Sequence, residues 1–127
     1  MHEKPKVLLV GHCGPDAYAL RSAMQRLAPE AEFLFVNDEA ALAAHPDAAA
    51  LLVNRVLDGA FRAGSGVELI RRLPAEVRPR AAMISNFEDA QAEAEAAGAV
   101  RGFGKRELYS DRARACILTL LGRDAEV

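Results

Sequence analysis

The order of elements in this chain predicts an α/β protein, a doubly wound sheet of five parallel strands with a helix after each. Three observations lead there. Ala50-Leu51-Leu52-Val53-Asn54 is an apolar run bounded by Pro46-Asp47 on one side and a glycine-rich segment on the other, the pattern of a strand covered on both faces. Shorter apolar runs recur around it, over residues 6–10, 32–36, 81–84 and 100–103. Stretches with helical spacing alternate with them, as βα units do in a parallel sheet. Ligand sites of such sheets lie just beyond the strands' carboxyl ends, so the residue type at position 54 largely decides the chemistry.

Taken in order, Lys6 to Val10 is the first strand and stops at Gly11. After Gly11-His12-Cys13-Gly14, Pro15 or Asp16 starts a helix, because proline suits a first turn and a carboxylate there meets free amides. Leu20, Met24 and Leu27 form its buried stripe, and Pro29 stops it. Glu32 to Val36 is the second strand; Asn37 or Asp38 caps a short helix to about Ala44, broken at His45-Pro46. The third strand is Ala50 to Asn54, and a long connection runs from Arg55 to Gly66. Val67, Ile70 and Leu73 mark a third helix ended by Pro74, and Ala81 to Ile84 is the fourth strand, closed by Ser85 and Asn86. Glu88 to Ala97 is an alanine-rich helix terminated at Gly98; with no large apolar side chain it is the weakest element by packing. Val100 to Phe103 is the fifth strand, Lys105 stands at its end, and Leu108, Ala113, Cys116, Ile117, Leu120 and Leu121 supply the core face of a last helix ended by Gly122.

A length of 127 residues with 51% hydrophobic composition suits one domain over residues 1–127 with one sizeable core. A formal charge of −2, with no long run of one sign, points away from nucleic acid and from anionic membrane. The apolar stretch near the N-terminus is too short for a signal peptide or a bilayer span, so the chain is expected in the cytoplasm. Cys13 and Cys116 lack metal or redox spacing and are expected reduced, and His2, His12 and His45 show no metal-ligand spacing. No cofactor is expected: Gly11-His12-Cys13-Gly14-Pro15 lacks the spacing of a dinucleotide turn, and there is no phosphate-binding loop motif.

Five βα units in this length, with Lys105 seven residues after the Gly98-Ala99 turn, Ser85 ending the fourth strand and Gly66-Val67-Glu68-Leu69-Ile70 opening the third helix, resemble the receiver domain of bacterial response regulators. The resemblance covers nearly the whole chain. It implies the flavodoxin-like, CheY-like strand order 2-1-3-4-5 and a role in two-component or phosphorelay signalling. It also implies an acidic pair that holds magnesium, a phosphoryl-accepting aspartate, a hydroxyl residue and a lysine. Here the acidic pair falls at Gly11 and His12 and the acceptor at Asn54, while the hydroxyl and lysine match Ser85 and Lys105. The family's aromatic switch falls at Gly102, and its proline after the lysine is Arg106.

An amide does not form the acyl phosphate that a carboxylate forms, and magnesium prefers one or two carboxylates. The expectation is a receiver-like domain that is not an enzyme and acts through a protein partner. The family's usual partner surface would carry Arg101, Arg106, Tyr109 and Arg112. A homodimer stays open. So do two rivals: a phosphorylatable receiver using Asp58, and a small enzyme using Cys13 beside His12. Lys105, His12 and the free amides of the first helix are further expected to form a remnant anion pocket, with Asp16 or Asp58 as counter-charges.

Overall fold

A computed structural model describes residues 4–122 of the chain; His2 lies outside them. Five parallel strands stand in the order β2-β1-β3-β4-β5: β1 (Lys6–Val10), β2 (Glu32–Val36), β3 (Ala50–Asn54), β4 (Ala81–Ile84) and β5 (Val100–Phe103). The helices between and after them are α1 (Gly14–Leu27), α2 (Glu39–Ala43), α3 (Gly66–Arg72), α4 (Glu88–Ala96) and α5 (Asp111–Leu120). This is the strand order expected. All five residues of β3 are buried, as the central position requires.

Alternation along the strands divides the core into two layers. Val7, Leu9, Leu52, Ile84 and Phe103 pack with Leu20, Met24 and Ile117 on the side of α1 and α5. Leu8, Val10, Leu51, Val53 and Met83 pack with Val67, Ile70, Ala90 and Ala94 on the side of α3 and α4. Each buried Leu, Ile or Val contributes about 1.5–3 kcal/mol relative to an exposed one, so the two layers account for most of what holds the sheet.

Local chemistry sets the ends of the helices. The Asp38 carboxylate accepts from Ala41 N at 2.7 Å, and Ser65 and Ser110 accept from Glu68 N and Ala113 N, so three helices begin at side-chain caps. Helix α1 starts earlier than Pro15: Gly14 is its first residue and Cys13 its cap position, leaving Pro15 inside the first turn, where a missing N–H costs nothing. Gly98, at φ 113°, follows α4. Leu108 lies before α5 and packs on the core from there, and Leu118 joins the buried face. A short 3-10 turn, Arg78–Arg80, was not foreseen. No helix among the described residues is long and apolar enough to cross a membrane.

Candidate functional site

The carboxyl edge of the sheet brings Asn54, Ser85 and Lys105 to one cavity of about 210 Å³, which Arg55, Val56, Ile84, Asn86 and Phe87 also line. Gly11 and His12 lie beside Asn54 and do not line it. Arg55 stacks on the Phe87 ring, 4.6 Å from its centroid, on the rim of this cavity.

Asn54 is 6% exposed, and its side-chain amide donates to Gly11 O at 3.0 Å and Val56 O at 2.7 Å. Two carbonyl oxygens therefore face the end of β3. Only a donor suits that position, so the amide ties the β1–α1 loop to the start of the long connection, and a carboxylate there would meet two acceptors.

That connection leaves at Arg55 and returns at Gly66, whose N–H donates to Arg55 O at 2.8 Å. In between it crosses the end of β1 toward β2. Asp58 N donates to Gly11 O at 2.8 Å, Ala60 N to Asn37 O at 2.8 Å, and Arg62 N to the Glu39 carboxylate at 2.7 Å. Leu57 lies directly over Gly11: a Cβ on Gly11 would stand 2.6 Å from Leu57 Cδ2, and Gly11 has φ 73°. A side chain at position 11 would need both a strained backbone and a displaced Leu57. The Asp58 side chain is exposed and does not line the cavity.

His12 is turned away from the cavity. Its ring is 3% exposed and Nε2 donates to Leu52 O at 2.9 Å. Burial pushes its pKa down from 6.5 to about 4, against the hydrogen bond to Leu52, with Lys105 adding a smaller lowering push. The imidazole is neutral at neutral pH, which removes the second positive charge expected of an anion pocket. The Lys105 ammonium donates to the Asp16 carboxylate at 2.9 Å, so the remaining charge is paired. Asp16 lies below its ordinary range, chiefly through that hydrogen bond from Lys105 and, in smaller part, one from the Cys13 thiol. Of the two cations expected of an anion pocket, His12 is buried and neutral, and Lys105 is paired with Asp16, one of the two counter-charges anticipated.

Nor do His12 and Cys13 form a dyad, since the ring points toward β3 and the thiol toward Asp16. Cys116 is buried in the core and its pKa is pushed up to about 12 by desolvation. Ser85, 5% exposed, accepts from Phe87 N at 3.1 Å, the behaviour of a strand-end hydrogen bonder.

The donors at the edge do not suit magnesium. Gly11 O already accepts twice, the Asn54 amide is committed, and the Asp16 carboxylate is engaged by Lys105 and Cys13. Among the described residues no group of three or more His, Cys, Asp or Glu is placed to hold a metal ion.

The surface of α4, β5 and α5 carries the four residues expected of a partner face, two of them already occupied. Arg101 pairs with Glu88 and, at 3.8 Å, with Glu95; Arg112 reaches Glu88 at 3.6 Å and Glu107 at 3.9 Å. Arg106 and Tyr109 are exposed, with Arg26 placed 5.8 Å from the Tyr109 ring.

Sequence reasoning missed Gln91. It is 2% exposed and its side-chain amide donates to Met83 O and Ser85 O at 2.8 and 3.1 Å and accepts from Gly102 N at 3.1 Å. A polar residue at helical spacing between Ala90 and Ala94 was the available signal, because Ala90 and Ala94 face the sheet and Gln91 shares their side.

No protein-family model matches the chain, and no curated protein matches it. Solved structures do match. A candidate response regulator from Chloroflexus aurantiacus shares 19% identity and a TM-score of 0.70, over 94% of this chain and 99% of that one. The non-phosphorylated receiver domain of the stress response regulator RcsB from Escherichia coli shares 16% identity at a TM-score of 0.63, over 97% of each chain. A response regulator receiver domain from Rhodospirillum rubrum shares 13% identity at a TM-score of 0.62, over 92% of each. The likeness extends over nearly the full length, and the chain has the fold of response-regulator receiver domains.

Proposed function

We propose that this chain is a receiver-type signalling domain that does not accept a phosphoryl group and acts by contact with a protein partner. One observation carries the reading: the residue at the acceptor position, Asn54, spends its amide on Gly11 O and Val56 O, beneath a loop that sets Leu57 over Gly11. An amide is no nucleophile for acyl phosphate formation. At the first of the two acidic-pair positions a Cβ on Gly11 would meet Leu57, and at the second the His12 ring is buried and bonded to Leu52 O. Ser85 and Lys105 keep the places that the resemblance gives them while bonding to Phe87 N and to Asp16.

What remains is a surface. Arg106 and Tyr109 stand exposed where α5 begins, and Arg101 and Arg112 are held beside them by Glu88, Glu95 and Glu107. Arginine and tyrosine are among the residue types enriched where binding energy concentrates at protein interfaces. The role is that of a non-catalytic cytoplasmic component of two-component or phosphorelay signalling, with a protein rather than nucleic acid or membrane as partner. The test is incubation with acetyl phosphate and magnesium, read by intact-mass spectrometry. The expected result is an unmodified chain. A stoichiometric, base-labile adduct overturns the reading, and its mapping to Asp58 would make the domain a phosphorylatable receiver with a displaced acceptor.

A further inference from the structure

We infer that Gln91 locks α4 against β4 and β5, so that the surface of α4, β5 and α5 is presented permanently in one arrangement. The role given to that surface comes from the proposed function; the lock does not depend on it.

Strands β4 and β5 lose register between the pairs Ala82 with Val100 and Ile84 with Phe103, leaving Met83 opposite both Arg101 and Gly102. An irregularity of this kind strands backbone groups that the ladder would otherwise pair. Gln91 lays its amide across the gap. Its Oε1 accepts from Gly102 N at 3.1 Å, and its Nε2 lies 2.8 Å from Met83 O, 3.1 Å from Ser85 O and 3.4 Å from Phe103 O. The side chain thus acts as a rung between two strands while belonging to a helix.

The neighbours leave no slack. A Cβ on Gly102 would stand 1.9 Å from Met83 O, so β5 is pressed against β4 where only glycine fits. Ser85 Oγ is held by Phe87 N, one residue before α4. Outside, Glu88 of α4 pairs with Arg101 of β5 and Arg112 of α5. Because α4 buries only Ala90, Gln91 and Ala94, it has little apolar area of its own, and its position rests largely on Gln91. Sliding α4 breaks these bonds together and leaves buried donors and acceptors unpaired, which costs far more than a surface contact.

The test is NMR on the full chain, comparing wild type with Gln91→Leu, which keeps the bulk and removes the amide. In wild type, relaxation dispersion is expected flat over residues 83–104. In the variant, amide exchange at Gly102, Phe103 and along α4 should accelerate roughly tenfold or more relative to residues 7–10 and 51–53, as local opening does. Residues 88 and 101 should broaden with it. Equal acceleration in all strands would mean that Gln91 only adds to global stability, and no acceleration would mean that it holds nothing; either overturns the lock, as does dispersion at 83–104 in wild type. Should Gln91→Leu fail to fold, Gln91→Glu keeps the shape and loses the donors, with the same outcomes. An acetyl phosphate adduct sinks the proposed function without touching these readings, and dispersion in wild type sinks the lock while leaving the phosphorylation result standing.

Discussion

Asn54 and His12 both face inward at the sheet edge, and both can be tested by what their hydrogen bonds demand. Replacing Asn54 with aspartate sets a carboxylate against Gly11 O and Val56 O, where the amide now donates. Asn54→Asp should cost about 1–3 kcal/mol, the penalty of a buried polar group stripped of its partners, read by urea denaturation. It should also fail to restore phosphorylation, because Gly11 and His12 supply no carboxylate. His12 titrates in the other direction. Its folded pKa of about 4 lies below the reference 6.5, so the unfolded chain binds the extra proton first. Stability is then complete above pH 6.5 and falls as pH drops toward 4, by up to about 3 kcal/mol for a shift of this size. Denaturation midpoints measured across that range should show the fall, and His12→Gln, which keeps a donor for Leu52 O, should flatten it. A fall that persists in the variant would assign it to other groups.

At the scale of elements, α4 and the 55–65 connection carry the departures from a plain sheet. Ala94, fully buried on α4, packs in the core layer between that helix and the sheet. Ala94→Gly should cost about 1 kcal/mol from helix propensity, and Ala94→Leu should cost about 1–3 kcal/mol from overpacking. Thermal melts of the two variants check both, and a neutral Ala94→Leu would mean that α4 is free to move away from the sheet. The alanine richness of this helix was plain in the sequence. Its anchoring was not, because a glutamine among alanines looks solvated until the register break between β4 and β5 supplies partners for it. In the same way the glycines and the length of the connection marked a loop, while its course over β1 depends on Leu57 meeting Gly11 and on Asp58 N meeting Gly11 O.

For the whole molecule, the decisive question is whether the folded chain binds magnesium at all. A ligand at a hundred times its dissociation constant adds about 2.7 kcal/mol to folding stability, which is several degrees in melting temperature for a domain of this size. Millimolar magnesium is expected to leave the melting temperature unchanged in differential scanning fluorimetry. A rise of several degrees would reveal a site that the engaged Asp16 and the neutral His12 do not suggest. Sulfate should be equally without effect at neutral pH, since the Lys105 charge is already met by Asp16.

The five strands and their carboxyl ends were legible in the sequence because each strand carries its own apolar run, punctuated by glycine, proline or a capping residue within a few positions. Strand limits at Lys6–Val10, Glu32–Val36, Ala50–Asn54, Ala81–Ile84 and Val100–Phe103 need only neighbours along the chain to be read. Which side chains meet at the edge was a different matter. His12 reaches Leu52 across 40 positions, and Lys105 reaches Asp16 across 89. Those contacts exist only once the sheet has formed and burial has priced each polar group by the partners left to it. Local spacing determined the five βα units and which residues end the strands, and the strand order followed from the resemblance to receiver domains; tertiary packing alone decided that His12 is neutral, that Lys105 is paired, that Asn54 is a donor between two carbonyls and that Gln91 lies across β4 and β5.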